Sequence, residues 1–345
     1  MKKSELVFVP SPGVGHLVPA VEIAKLMVKR DDRLSITVLL VDLPNDEQTS
    51  SGITFLGSFI ESQKPHVKNA VLKLQSESSS ESTQLAGFVV GMFCTTMIDV
   101  ANEFGVPSYV FFASSAAALS LMLYMQALND EKNVDTTEFK DSDAEFMLPG
   151  IINPVPAKVL PSVVFNKDWH PLYFGNARRF KEAEGIMVNT YVELESQVIN
   201  AFSNGKTPPL YPIGPILNLK GDGHDVGSAE TNKNKDIMEW LDDQPPSSVV
   251  FLCFGSMGSF GEEQLKEIAR ALEQSEYRKD FRAENDVIVS ADIIEKGIRS
   301  VMEQDSEVRK KVKAMSEMSK KALLDGGSSH SFMGRLIEDM MNNME

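Results

Sequence analysis

The first forty residues constrain the fold more tightly than any other part of the chain. Leu6-Val7-Phe8-Val9 is a continuous apolar run rich in β-branched and aromatic side chains, the composition of a strand buried on both faces. The loop Pro10-Ser11-Pro12-Gly13-Val14-Gly15 follows. Leu17, Val21, Ala24, Leu26 and Val28 then recur at helical spacing over residues 16–30, and a second apolar run occupies 35–40. Strand, helix and strand of these lengths make a right-handed βαβ unit, the opening of a doubly wound parallel sheet. The alternation continues with a helix over 55–74, a strand over 86–90, a helix over 95–104 and strands over 108–112 and 185–190.

A chain of 345 residues exceeds one ordinary core, so two α/β domains are expected. Pro and Gly cluster with Asp, Asn and Lys between residues 205 and 235, which places a flexible connection there. Beyond it, residues 248–254 carry the strongest strand pattern in the chain. The turn Gly255-Ser256-Met257-Gly258 follows, and Ser259 with Glu262 fits a capping box opening a helix that runs to 274. Only helices are expected after that, over 291–302, 306–324 and 329–340. A lone apolar strand can neither bury two faces nor pair its backbone groups, so the second half is short of strands.

Net charge decides which partners are excluded. With 34 basic against 49 acidic residues the chain carries −15, which disfavours nucleic acid and anionic membrane surfaces. Cys94 and Cys253 both sit in apolar runs and read as buried thiols rather than a disulfide, which fits a reducing cytosol. No signal peptide is expected, because the first apolar run is short and broken by Pro10 and Pro12. Residues 106–128 contain Pro107 and several serines and read as strand then helix, not a membrane span. A cytoplasmic location is therefore expected. Trp169 and Trp240 read as packing residues, and Met302, Met315, Met318 and Met333 as core or helix-docking positions.

Two turns could carry chemistry. Gly13, Val14 and Gly15 lie where a strand feeds a helix, and the helix N-terminus there presents free amides; turn geometry alone also accounts for the glycines. The dinucleotide fingerprint is excluded, since Val18 occupies its third glycine position. His16 stands at the carboxyl edge of the first strand, where α/β sheets place ligands, and could equally be a structural cap. The turn at Gly255, Ser256 and Met257 is either a phosphate cradle or an ordinary βα turn. His66, His170, His224 and His330 have no partners at metal-ligand spacing, so no metal site is expected.

Together these segments resemble the plant family-1 UDP-glycosyltransferases. The match is carried by residues 9–19 (VPSPGVGHLVP), 101–107 (ANEFGVP), 185–195 (GIMVNTYVELE), 211–215 (YPIGP), 240–245 (WLDDQP), 247–256 and 326–329 (GGSS). The resemblance implies a GT-B fold, with two Rossmann-like domains and a last helix returning to the first. In that scheme residues 1–215 form the acceptor-binding domain, 216–246 a linker, 247–325 a truncated UDP-sugar domain and 326–345 the returning helix. It implies that His16 is the general base for inverting transfer, glucose being the expected sugar. Gly255, Ser256 and Met257 would contact the donor diphosphate, and Gly13, Val14 and Gly15 would form an acceptor-side loop. UDP-sugar is a co-substrate, with no cofactor and no metal. The acceptors implied are flavonoids, phenylpropanoids, terpenoids or hormones.

Two departures stand out. The family's histidine is oriented by an aspartate in a pattern like Val-Val-Asp-Met-Phe, where this chain has Val89-Val90-Gly91-Met92-Phe93. The nucleotide-sugar signature, from Trp-Ala-Pro-Gln through His-Cys-Gly-Trp-Asn-Ser, is absent, and the run across residues 274–281 looks like a deletion junction near Ser275 to Tyr277. A smaller contraction is expected between Leu43 and Phe55. Little or no transfer is therefore expected of this chain. The other readings are a binding or partner-pairing paralogue or splice product, and a product whose second domain does not fold stably.

Overall fold

The computed structural model describes residues 2–43, 52–77, 83–217, 228–246, 248–253, 260–274, 288–303 and 305–343. Contacts divide the chain into two units. The first joins Met1–Asn218 to Met318–Glu345, and the second is Leu219–Glu317.

In the first unit the apolar runs become strands β1 (Lys3–Val9), β2 (Leu34–Val38), β3 (Thr83–Gly91), β4 (Ser108–Phe112), β7 (Gly185–Val188) and β8 (Leu210–Pro212). All six pair in parallel in the order β2-β1-β3-β4-β7-β8. A short antiparallel pair, β5 (Glu145–Phe146) with β6 (Val155–Pro156), lies apart from this sheet. Alternate residues serve the two faces, as the two-residue pleat requires. Val7, Val9, Phe88, Val90, Val110 and Phe112 pack into one core, beneath helices that include α3 (Lys64–Glu77), α4 (Met97–Glu103), α5 (Ala116–Lys132) and α6 (His170–Arg179). Leu6, Phe8, Val89, Tyr109 and Phe111 pack into the other, covered by α1 (Val14–Arg30) and α12 (Ser328–Asn342).

The helix expected over 55–74 is two helices, α2 (Gly52–Ser62) and α3, because Pro65 has no amide to continue the ladder. α7 (Val192–Ala201) follows β7 and brings Glu195 to the start of α5, where its two oxygens accept from the Ala116 and Ala117 amides at 2.9 Å each. α12 is fastened to the sheet by polar contacts as well as by Met333, Leu336, Ile337 and Met340. Ser329 Oγ donates to the Gly214 carbonyl (2.5 Å), Tyr211 OH to Asp339 (2.7 Å) and the Asn343 amide to Tyr109 OH (2.8 Å).

Among its described residues the second unit contains helices and no strand. They are α8 (Ser228–Asp242), α9 (Glu262–Gln274), α10 (Ala291–Met302) and the first part of α11 (Glu307–Leu323). α8 lies inside the stretch read as a flexible linker. That stretch has neither Gly nor Pro from 228 to 242, and Lys235 faces Glu239 one turn on (3.7 Å). The strand expected at 248–254 does not form over the described residues 248–253, where Phe251 is 85% exposed. A strand needs a ladder partner, and the described part of this unit offers none. Cys253 and Trp240 are accordingly exposed rather than buried, and Met315 is exposed too, whereas Cys94 is buried as expected. The unit's buried core is small: Ile268, Ala271, Val289, Ala291 and Ile294.

Candidate functional site

The strand order fixes where a ligand site can lie in the first unit. β1 sends its chain to β2 on one side, and the chain then returns to β3 on the other. The carboxyl ends of β1 and β3, at Val9 and Gly91, therefore flank the point where strand order reverses, the place where open α/β sheets hold ligands. His16 lies on the helix that leaves β1, and Phe93 just beyond the end of β3. Their rings meet edge to face, with centroids 5.6 Å apart and planes at 77°.

His16 sits in the first turn of α1. Its amide and that of Leu17 both donate to the Gly13 carbonyl at 3.0 Å, and Gly13 holds φ at +104°, a conformation that glycine adopts without strain. Gly15 has open space where a Cβ would lie, and Val14 is 70% exposed, so the Gly13–Val14–Gly15 turn is a surface feature beside the histidine. Burial pushes the His16 pKa below the ordinary histidine value. Among the described residues no hydrogen bond or ion pair reaches the imidazole. Burial thus favours the neutral ring, which has a lone pair free on one nitrogen: a base in want of an orienting partner.

Position 91 has no room for such a partner. A Cβ built on Gly91 would lie 2.2 Å from the Ser11 amide nitrogen and 2.5 Å from Ser11 Oγ. Ser11 is 1% exposed, and its hydroxyl accepts from the Phe93 amide at 2.9 Å. Cys94 Sγ donates to the Pro10 carbonyl at 3.6 Å, and burial pushes that thiol up to about 12, which makes it an unreactive packing group. The β1 and β3 exits are therefore drawn tightly together. Ser11 and Phe93 escape a reading of sequence alone, since a lone Ser between prolines and a Phe between Met92 and Cys94 look like loop and core.

A cavity of about 400 Å³ opens between α2 and α6, lined by Gly57, Thr95, Thr96, Leu172, Asn176 and Arg179 among others. Asn176 Oδ1 accepts from the Thr95 hydroxyl (2.6 Å) and amide (3.2 Å), while Thr96 Oγ1 is buried without a partner. Gly255, Ser256 and Met257, the expected donor contacts, lie outside the described residues, as does the 275–277 junction. Among the described residues there is no cluster of three or more metal-ligating side chains, and no helix is long and apolar enough to cross a membrane.

No family model matches the chain. Individual proteins do. A UDP-glucose flavonoid 3-O-glucosyltransferase 6 of Fragaria ananassa is 40% identical, with 99% of this chain and 100% of that protein covered. UDP-glycosyltransferase 71A15 of Malus domestica is 39% identical over 98% of this chain and 99% of its own. The chain belongs to the plant UDP-glycosyltransferases. Solved glycosyltransferases agree in fold. A UGT transferase from Siraitia grosvenorii, in complex with UDP, superposes with a TM-score of 0.86 at 36% identity, covering 98% of this chain and 100% of that one. UGT71G1 of Medicago truncatula, complexed with UDP-glucose, gives 0.82 at 33%, covering 98% of each. These are GT-B glycosyltransferases, so this chain's parallel sheet is the α/β layer of that fold. The Fragaria alignment spans 478 positions against a chain of 345 residues, so that glycosyltransferase carries internal segments which this one lacks.

Proposed function

We propose that this chain descends from an inverting enzyme that moves a sugar, glucose foremost, from a UDP-sugar to a hydroxyl of a small plant metabolite of secondary metabolism. We propose also that the chain itself transfers little or none. The observation that carries the reading is His16 at the reversal point of the sheet, with Gly91 and Ser11 closed up where a carboxylate would stand. In the reaction His16 takes the proton of the acceptor hydroxyl, and the oxygen attacks the anomeric carbon. The bond from that carbon to the diphosphate breaks on the opposite face, and UDP leaves with the electron pair. Gly255, Ser256 and Met257 would face the diphosphate, with helix-terminus amides supplying the electrostatics.

General-base catalysis supplies roughly 10²–10⁴ of an enzyme's rate, and a histidine without an orienting acid loses part of it. The donor side is weaker still. The two tryptophans are followed by His170-Pro171 and Leu241-Asp242, so neither opens the family's nucleotide-sugar signature. We place the missing block at the Ser275–Tyr277 junction, within a cytoplasmic, truncated protein. A second reading, a non-catalytic small-molecule-binding or partner-pairing product, is favoured by the 400 Å³ cavity, which is built wholly from the first unit.

The test is calorimetric titration of the full chain with UDP-glucose, paired with mass-spectrometric detection of product from UDP-glucose and a flavonol. The expected result is no micromolar donor binding and product at background. Robust turnover overturns the proposed inactivity, micromolar donor binding with slow turnover favours a weakened enzyme, and flavonol binding without donor binding favours the second reading.

A further inference from the structure

The imidazole of His16 has one aromatic neighbour among the described residues. Its ring is packed edge to face against Phe93 at 5.6 Å, and among the described residues no hydrogen bond, ion pair or second ring contact reaches it. Phe93 is in turn fixed at its backbone, because its amide donates to the Ser11 hydroxyl, and Ser11 is itself sealed in. Gly91 makes the arrangement possible: only a residue without a Cβ lets β3 approach Ser11 so closely. The chain of contacts therefore runs from Gly91 through Ser11 and Phe93 to His16, across the two strand exits.

We propose that Phe93, latched by Ser11 over Gly91, is the positioning residue for His16 in this chain. An aromatic contact sets the plane of the imidazole without choosing its tautomer, because it accepts no proton from Nδ1. Both tautomers are then populated, and only one presents a basic lone pair toward any given hydroxyl. No charged group contributes to the titration of His16, and on its own helix Glu22 and Lys25 pair with each other at 2.9 Å. The proposal rests on the reading of His16 as the base only for its catalytic meaning; the latch itself is testable without activity.

The experiment is an NMR titration of the histidine rings of the full chain, His16 being assigned by the resonance lost in His16→Gln. Ring nitrogen shifts report the tautomers. The intact protein is expected to titrate below the ordinary histidine value with mixed tautomers. Phe93→Ala should move the His16 midpoint upward toward that value, Phe93→Tyr should restore it, and Ser11→Ala should move it upward by less. An unchanged midpoint in Phe93→Ala, or a single tautomer in the intact protein, overturns the proposal. Should Phe93→Ala not fold, an unchanged midpoint in Ser11→Ala does so. The latch is read from the ring midpoint and tautomers, and the functional reading from the donor titration and product assay above, so the failure of one is distinguishable from that of the other.

Discussion

Adding one carbon at position 91 tests how tightly the two strand exits are joined. The Cβ of Gly91→Ala would meet backbone at 2.2 Å, which no side-chain rotation relieves, so the cost should match that of overpacking, about 1–3 kcal/mol. Urea denaturation of the Gly91→Ala chain measures it, and an unchanged midpoint contradicts the packing described. Gly91→Asp should destabilise at least as much and restore no transfer, because a carboxylate can enter only by pushing Ser11 away from Phe93. From sequence alone Gly91 reads as a missing acid; its tertiary role as a point of close approach is invisible there. His16 was legible for the opposite reason, since a histidine after a buried strand and a glycine turn is placed by local chemistry. Phe93 was not, because its partner is 77 positions away and nothing in Met92-Phe93-Cys94 points to it.

The elements divide along the same line. β1, β4 and β7 were readable because Leu6–Val9, Ser108–Phe112 and Gly185–Val188 are buried on both faces, which selects continuous apolar runs. β8 was missed: three residues ending in Pro212 at a sheet edge carry too little pattern. α6 was missed as well, since Pro171 and Gly175 break its helical look. The run at 248–253 shows the converse error: strand propensity is present, and among the described residues a partner is not. Glu195 belongs to a motif quoted only for resemblance, yet its work is structural, as it caps α5 with a charged acceptor for two amides. Glu195→Ala should cost about 1–3 kcal/mol, with Glu195→Gln costing less, read from the denaturation midpoint of the full chain. An unchanged midpoint in Glu195→Ala would contradict the capping role.

On the scale of the whole chain, burial is unevenly shared. One face of the first unit's sheet is completed by α12, whose Leu336 is fully buried and whose Ser329, Asp339 and Asn343 tie it to Gly214, Tyr211 and Tyr109. Removing residues 326–345 should uncover Tyr211 and Tyr109 and the apolar residues around them, giving strong binding of an apolar dye and a lower melting temperature. A shortened chain that melts like the full one would refute that dependence. The same dependence has a consequence during synthesis. The first unit's sheet leaves the ribosome well before α12, with all of the second unit translated in between. At roughly 5–20 residues per second, that interval is on the order of ten seconds. Through it the part of that face around Tyr109 and Tyr211, which α12 will cover, stays open to the cell, and a chaperone, or a neighbouring nascent chain, has that long to find it.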